Sequence, residues 1–211
     1  MKTHARTSVP YITAWSGEHK PMPRVLQAGD GIILAGQPRD TTGVSWQPWA
    51  LKQGAGRPEY GKVHGPRQRR AMRRLLCQVC GGPADRNELG WLWLLEDHRA
   101  DGERGWPEDE VTTHPPVCAP CAAVAARLCP HLRDNVVAVR AGRVILDGVY
   151  GQMYLPGPPP IPGARDVALF SSARARWMVG SQLAASLVDV TLVDMPELRD
   201  SSSPLEASCT P

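Results

Sequence analysis

The sequence predicts an α+β protein in which a cysteine-bearing module lies between a loop-rich N-terminal segment and a small C-terminal α+β layer. Three observations predict it. Runs that read as strands recur at 90–95, a short apolar stretch with two tryptophans, and at 135–155 and 188–195, where β-branched residues are frequent. Two stretches carry helical signals, at 66–76 and 171–187. Two C-x-x-C pairs, separated by 37 residues, lie between these regions. The boundaries that follow are 1–65 for the N-terminal segment, 66–134 for the basic helix and cysteine module, 135–197 for the α+β region and 198–211 for a polar tail.

Residues 1–65 read as turn-rich. GDGIILAG (29–36) offers one short strand, Ile32 to Ala35, between glycines. The segments around SWQPW (45–49) and GAGRPEYGKVHG are broken by Gly and Pro too often for long elements. Trp15, Trp46 and Trp49 are read as anchors packing this irregular chain onto the rest, with base stacking as the sharper alternative.

Pro66 opens a helix, in a first turn that can spare its missing N–H. Ala71, Met72, Leu75 and Leu76 fall within an arc of about 140°, and Arg67, Arg69, Arg70, Arg73 and Arg74 cover the remaining side. The expectation is an amphipathic helix with one cationic face.

Cys77-Gln-Val-Cys80 and Cys118-Ala-Pro-Cys121 form the module. Each C-x-x-C turn aims two thiolates at one point, and two turns complete the S₄ shell that Zn²⁺ favours. Gly81 and Gly82 allow a tight knuckle after the first pair, and AAVAARL after the second has high helix propensity. Knuckle, hairpin, then a helix bearing the last ligands is the treble-clef order, with structural zinc on Cys77, Cys80, Cys118 and Cys121. Neither pair follows a strand in the βαβ order of a redox C-x-x-C. Cys129 is read as a small buried hydrophobe, His131 as badly spaced for a ligand, and Cys209 as a tail residue. Between the pairs, GWLWLL (90–95) is read as a strand packing on the zinc helix beside Val124 and Leu128. The acidic stretch 96–110 is a solvated turn, or else a screen for the basic helix.

NVVAVRAGRVILDGVYGQMYL (135–155) is read as a hairpin turning at Ala141-Gly142, followed by a proline-rich spacer at 155–163. DVALF (166–170) is a strand. Trp177, Val179, Leu183 and Leu187 suggest a helix over 171–187, and VDVTLVDM closes as a strand, which together make a small strand–helix–strand layer.

The net charge of +3 is unevenly spread: residues 1–76 carry +9, residues 77–135 carry −5 and residues 136–211 carry −1. The basic segment therefore suggests a nucleic-acid or other acidic partner. Twenty arginines against four lysines mark a GC-rich source, which discounts the arginine count taken alone. No run reaches the roughly 18 apolar residues of a membrane helix. The first residues lack the continuous apolar core of a secretory signal, so the expected setting is cytoplasmic, where thiols stay reduced. Paired catalytic carboxylates, a nucleophile elbow, a phosphate-cradling glycine loop and a dinucleotide fingerprint are all absent from the sequence.

The spacing of the cysteine pairs resembles that of HNH-type nucleases, where two C-x-x-C turns bracket a hairpin ending in an Asp-His step. Asp97-His98 stands at that point here, and His114 lies near the family's middle Asn. The resemblance implies a histidine base and a divalent metal. It departs at Ala122-Ala123-Val124-Ala125-Ala126, where the family places its last metal ligand. The segments VPYITAWSGE, RQRRAMRRLLCQVCGGPA and THPPVCAPCAAVAARLCPHL are similar to small proteins of actinomycetes and their phages, which implies a source but no mechanism. Three functions follow as expectations. They are a zinc-stabilised nucleic-acid-binding protein of weak sequence specificity, a protein–protein adaptor with structural zinc, and an HNH-like, catalytically inactive or active, nuclease.

Overall fold

The computed structural model describes residues 9–99, 105–128 and 135–194. The expectations for Cys129, His131, Cys209 and the tail lie outside these residues, as does that for the side chain of Leu128. The fold is mixed α+β and dominated by strands. Among the described residues there are two α-helices, α1 (Gly65–Arg74) and α2 (Ala119–Leu128).

The frame is an antiparallel ribbon of two long strands, β9 (Val136–Leu155) and β11 (Met178–Val193). β7 (Gly90–Glu96) pairs with the first part of β9, from Glu96 opposite Val136 to Trp91 opposite Ala141. β10 (Ile161–Leu169) pairs with its second part. β4 (Ser45–Trp46) and β8 (Val111–Thr112) join β11, and β6 (Arg86–Asn87) forms an edge beside β7, completing a seven-stranded sheet.

The expected hairpin at Ala141-Gly142 is instead unbroken strand. Gly142 is not among the glycines with positive φ that a primed two-residue turn requires. Ala141 is paired on both sides, to Trp91 and to Val190, and a turn there would break both ladders. The chain reverses later, at the proline-rich segment, which is the tight link from β9 to β10.

The helix expected over 171–187 is also corrected. A short 3₁₀ turn, Ala173–Trp177, leads directly into β11. Trp177, Val179, Leu183 and Leu187 share parity, so their spacing fits an alternating strand as well as a helix. The β-branched residues after them extend the strand backwards. The C-terminal region is accordingly antiparallel sheet, with β10 and β11 both paired to β9, and not a strand–helix–strand layer.

The N-terminal segment has more pairing than its punctuation suggests. β1 (Thr13–Trp15) pairs with β5 (Pro58–Val63), and β2 (Val25–Ala28) forms a hairpin with β3 (Gly31–Leu34). Its start is bound to the module, since Tyr11 N–H donates to Val79 O at 2.8 Å and Ile12 N–H to Gln78 O at 3.3 Å, and His64 N–H closes the segment on itself at Ile12 O, 2.7 Å away.

Alternation along β7 and β9 creates two apolar faces. Leu92, Leu94 and Ala138 face Cys77, Val117 and Ala122. Trp93, Leu95, Val137, Val139 and Ala141 face the other way, together with Leu187 and half-buried Trp91 and Leu75. The expected packing of the GWLWLL strand on the second helix is present, but through Ala122 and Ala125; Val124 is 41% exposed. Helix α1 lies on β11, with Met72 packed against Leu183 and Ala185. Its Gln68 donates to the carbonyls of Thr113 and Leu183 and accepts from Leu183 N–H.

Candidate metal centre and arginine surface

Helix α1 starts at His64, whose Nδ1 accepts from Arg67 N–H at 3.3 Å, with Pro66 in the first turn. It stops at Leu75, which adopts a left-handed conformation (φ 49°) and donates its N–H to the carbonyls of Ala71 and Met72. That reversal turns the chain into the Cys77 knuckle. Gly81 N–H donates to Cys77 O at 2.8 Å, and Cys77 N–H to Gly82 O at 2.7 Å. Gly81 sits at φ 75°, and a Cβ there would lie 2.9 Å from the Tyr11 ring, so glycine is required twice over.

The second arm is held to the first by backbone. Gln78 N–H donates to Pro116 O at 3.0 Å, Asp85 N–H to Val117 O at 3.0 Å, and Val117 N–H to Leu92 O at 2.9 Å. Cys118 precedes α2 and Cys121 lies in its first turn, where the helix end favours thiolate.

These connections gather Cys77, Cys80, Cys118 and Cys121 so that their sulfurs all lie within 4.8 Å of one another. A tetrahedron with Zn–S bonds of about 2.3 Å has sulfurs about 3.8 Å apart, and Cys80 Sγ to Cys118 Sγ is 3.9 Å. The cluster fits a bound metal ion such as zinc. Cys77 is fully buried, Cys80 is exposed, and the other two are intermediate. Hydrogen bonds from Cys118 and Cys121 hold the Cys77 thiol far below its ordinary value, while the same contacts push Cys121 up. Four thiolates at this spacing would repel one another, a repulsion that a bound cation would offset.

Among the described residues, these four are the one group of three or more His, Cys, Asp or Glu side chains close enough to hold a metal. Asp97, His98 and His114 form no such group. The Asp97 carboxylate receives Arg99 Nε and Nη2 at 2.8 and 2.6 Å, which holds it down at about 2. His98 meets Trp106 edge-on at 6.1 Å between ring centroids. His114 is exposed, and its carbonyl accepts from Trp93 Nε1 at 2.8 Å.

The five arginines of α1 do not share one solvated face. Arg67 is turned inside. Its Nη1 and Nη2 reach the fully buried Glu18 carboxylate at 2.5 and 2.8 Å, and it donates to Tyr11 O and Thr13 O, both at 2.7 Å. Arg69 is half-buried and stacks over Trp46 at 4.4 Å. Arg70, Arg73 and Arg74 are exposed, and Arg70 Nη1 donates to the Tyr11 hydroxyl at 2.9 Å. Sequence reasoning missed Glu18, His64 and Tyr11. Only the S/T-free start at His64-Gly65-Pro66 could have hinted at the cap, and nothing local marks Glu18 as the partner of an arginine 49 residues away.

The described part of the acidic turn is fixed elsewhere than to the arginines of this helix, although its Trp106 packs in the same cluster as Leu75. Glu108 accepts instead from Asp189 and Val190 N–H, both at 2.9 Å, fixing the turn to β11. Among the described residues no helix is long and apolar enough to cross a membrane. Compared with protein-family models, with curated proteins and with solved structures, the chain matches none, so its chemistry is read from this geometry.

Proposed function

We propose that this chain is a zinc-stabilised nucleic-acid-binding protein, with a treble-clef site as its structural centre and Arg70, Arg73 and Arg74 as its phosphate contacts. The observation that carries the reading is continuity. The helix that presents these exposed arginines runs through Leu75 directly into the Cys77–Cys80 knuckle, and Tyr11 bridges Arg70 to Gly81. Metal binding therefore fixes the orientation of the cationic surface. Arg67 contributes to the fold in this reading, and Arg69 is mostly covered. Arginine contacts to phosphate position a protein without reading sequence, so the binding is weakly specific.

The test is duplex-DNA binding across a salt series, with zinc-loaded protein, with and without Mg²⁺. Three phosphate contacts give a slope of log affinity against log salt of about −2.7, or roughly a 40-fold loss between about 50 and 200 mM salt. Arg73→Ala with Arg74→Ala lowers that slope by about 2. Chelation of one zinc per chain abolishes binding together with the helix–knuckle structure. Salt-insensitive association with protein and none with DNA would support the adaptor instead, and cleavage that needs Mg²⁺ and disappears in His98→Ala would support the nuclease.

A further inference from the structure

We infer that Arg86, stacked over Trp91 beside the exposed arginines of α1, forms a platform for an unpaired base, so that the nucleic acid bound is single-stranded. This rests on the nucleic-acid reading above and names its substrate class.

Arg86 and Trp91 face each other across the β6–β7 hairpin, and the guanidinium carbon lies over the indole ring, 4.2 Å from its centroid. Arg86 is exposed and Trp91 half-buried, so the indole supports one face of the guanidinium and solvent meets the other. Trp91 is held from beneath by the apolar cluster of Trp93, Val139 and Ala141.

The platform adjoins the phosphate contacts. Leu75, the residue after Arg74, packs in the same cluster as Trp91. Ala84 N–H donates to Leu75 O at 3.1 Å, and Leu76 bridges Pro83, so the strand leading to Arg86 runs back along the end of α1. The end of α1 that bears Arg73 and Arg74 therefore adjoins the chain leading to Arg86. The carboxylate between them in sequence, Asp85, is paired to Arg140 Nη2 at 2.6 Å. Glu88 is exposed at the hairpin tip. The acidic turn at Glu108 is fixed to β11 further along the same face.

A planar cation with an open face is suited to base stacking, which an unpaired nucleotide permits and an intact duplex does not. The adjacent arginines supply the charge that follows a backbone. Because each base has a π-face, the site takes unpaired bases of any identity, in RNA or DNA.

The experiment compares fluorescence anisotropy of a labelled oligothymidine, an oligouridine and a duplex of equal length, using zinc-loaded full-length protein. The expected result is single strands binding about tenfold tighter than duplex. Arg86→Lys, which keeps the charge and loses the planar stack, brings single-strand affinity close to the duplex value and leaves duplex affinity within about twofold. Arg86→Ala, at an exposed site, gives the same single-strand loss. Equal affinity for duplex and single strands, or an unaltered Arg86→Lys variant, overturns the platform while leaving phosphate binding intact. Failure to bind any of the three probes at low salt overturns the nucleic-acid reading as well.

Discussion

Replacing Arg67 by Met tests whether the most buried charge on α1 is structural. The substitution keeps the length and apolar stem of the side chain but removes every donor. Glu18 is fully buried and would lose both guanidinium contacts, retaining Trp15 N–H at 2.9 Å, while His64 Nε2 stands 3.6 Å away. The carbonyls of Tyr11 and Thr13 lose their donors at the same time. Breaking a buried pair from one side costs about 3–5 kcal/mol, because a charge is left uncompensated. With a urea slope of about 2 kcal/mol per M, the unfolding midpoint falls by roughly 2 M. Adding Glu18→Leu removes the stranded carboxylate and restores part of this loss, although the two carbonyls stay unpaired. Equilibrium urea unfolding of wild type, single and double variants measures all three quantities. An Arg67→Met protein within about 1 kcal/mol of wild type, or a double variant no more stable than the single, would refute the reasoning.

The pH dependence has a defined sign. Burial lowers the pKa of His64 below its ordinary 6.5, so the neutral ring is the folded form, and its stabilisation is lost as pH falls through 6.5 towards the folded value. Burial alone raises Glu18, but the Arg67, Trp15 and His64 contacts outweigh it and hold the carboxyl below 4.5, adding a second loss of stability in more acid solution. His64→Asn, which keeps a capping oxygen, should remove the first loss and leave the second; equal slopes near pH 6 in both proteins would contradict this. At Gly90, φ is +111° and a Cβ would lie 2.0 Å from Ala141 O, so Gly90→Ala should cost about 3 kcal/mol or more in thermal or urea unfolding. Gly54→Ala, at φ +86° with open space, should cost only about 1–2 kcal/mol, and equal effects would show that the β7–β9 contact is not tight.

What the sequence made legible was local. The cysteine spacing, the Gly81 turn, the apolar run of β7 and the helix opened by Pro66 are each fixed within a few residues, and the structure contains all of them. The errors lie where two periodicities coincide or where a distant partner decides. Residues 177, 179, 183 and 187 satisfy both a helical stripe and strand parity in the sequence; β9 decides for 179, 183 and 187 by offering an edge from Ala138 to Met153, with bulges between Gly180 and Gln182 and between Ala184 and Ser186, while Trp177 ends the 3₁₀ turn. Ala141-Gly142 resembles a turn only when its cross-strand partners, Trp91 and Val190, are unknown. The cationic face of α1 was overcounted because Glu18 is recruited across 49 residues to take Arg67.

The position of the cysteines in the core determines how far metal loss should spread. Cys77 is not on a detachable finger: it packs with Leu92, Leu94 and Ala138, residues of two central strands. Leu94 and Ala138 are cross-strand partners, and the next residue along β9, Val139, joins the opposite cluster with Trp93 and Leu187. Four uncompensated thiols in this setting would repel one another once ionised, and their separation would pull Val117 from Leu92 and Gln78 from Pro116. Tyr11 N–H is bonded to Val79 O within the knuckle, and so the N-terminal β1–β5 pair is tied to the same event. Metal release should therefore appear as one cooperative transition that includes the tryptophans of β7. A small early step confined to residues 77–82, followed by unchanged melting of the sheet, would mean that the knuckle is energetically separate from the strands it touches.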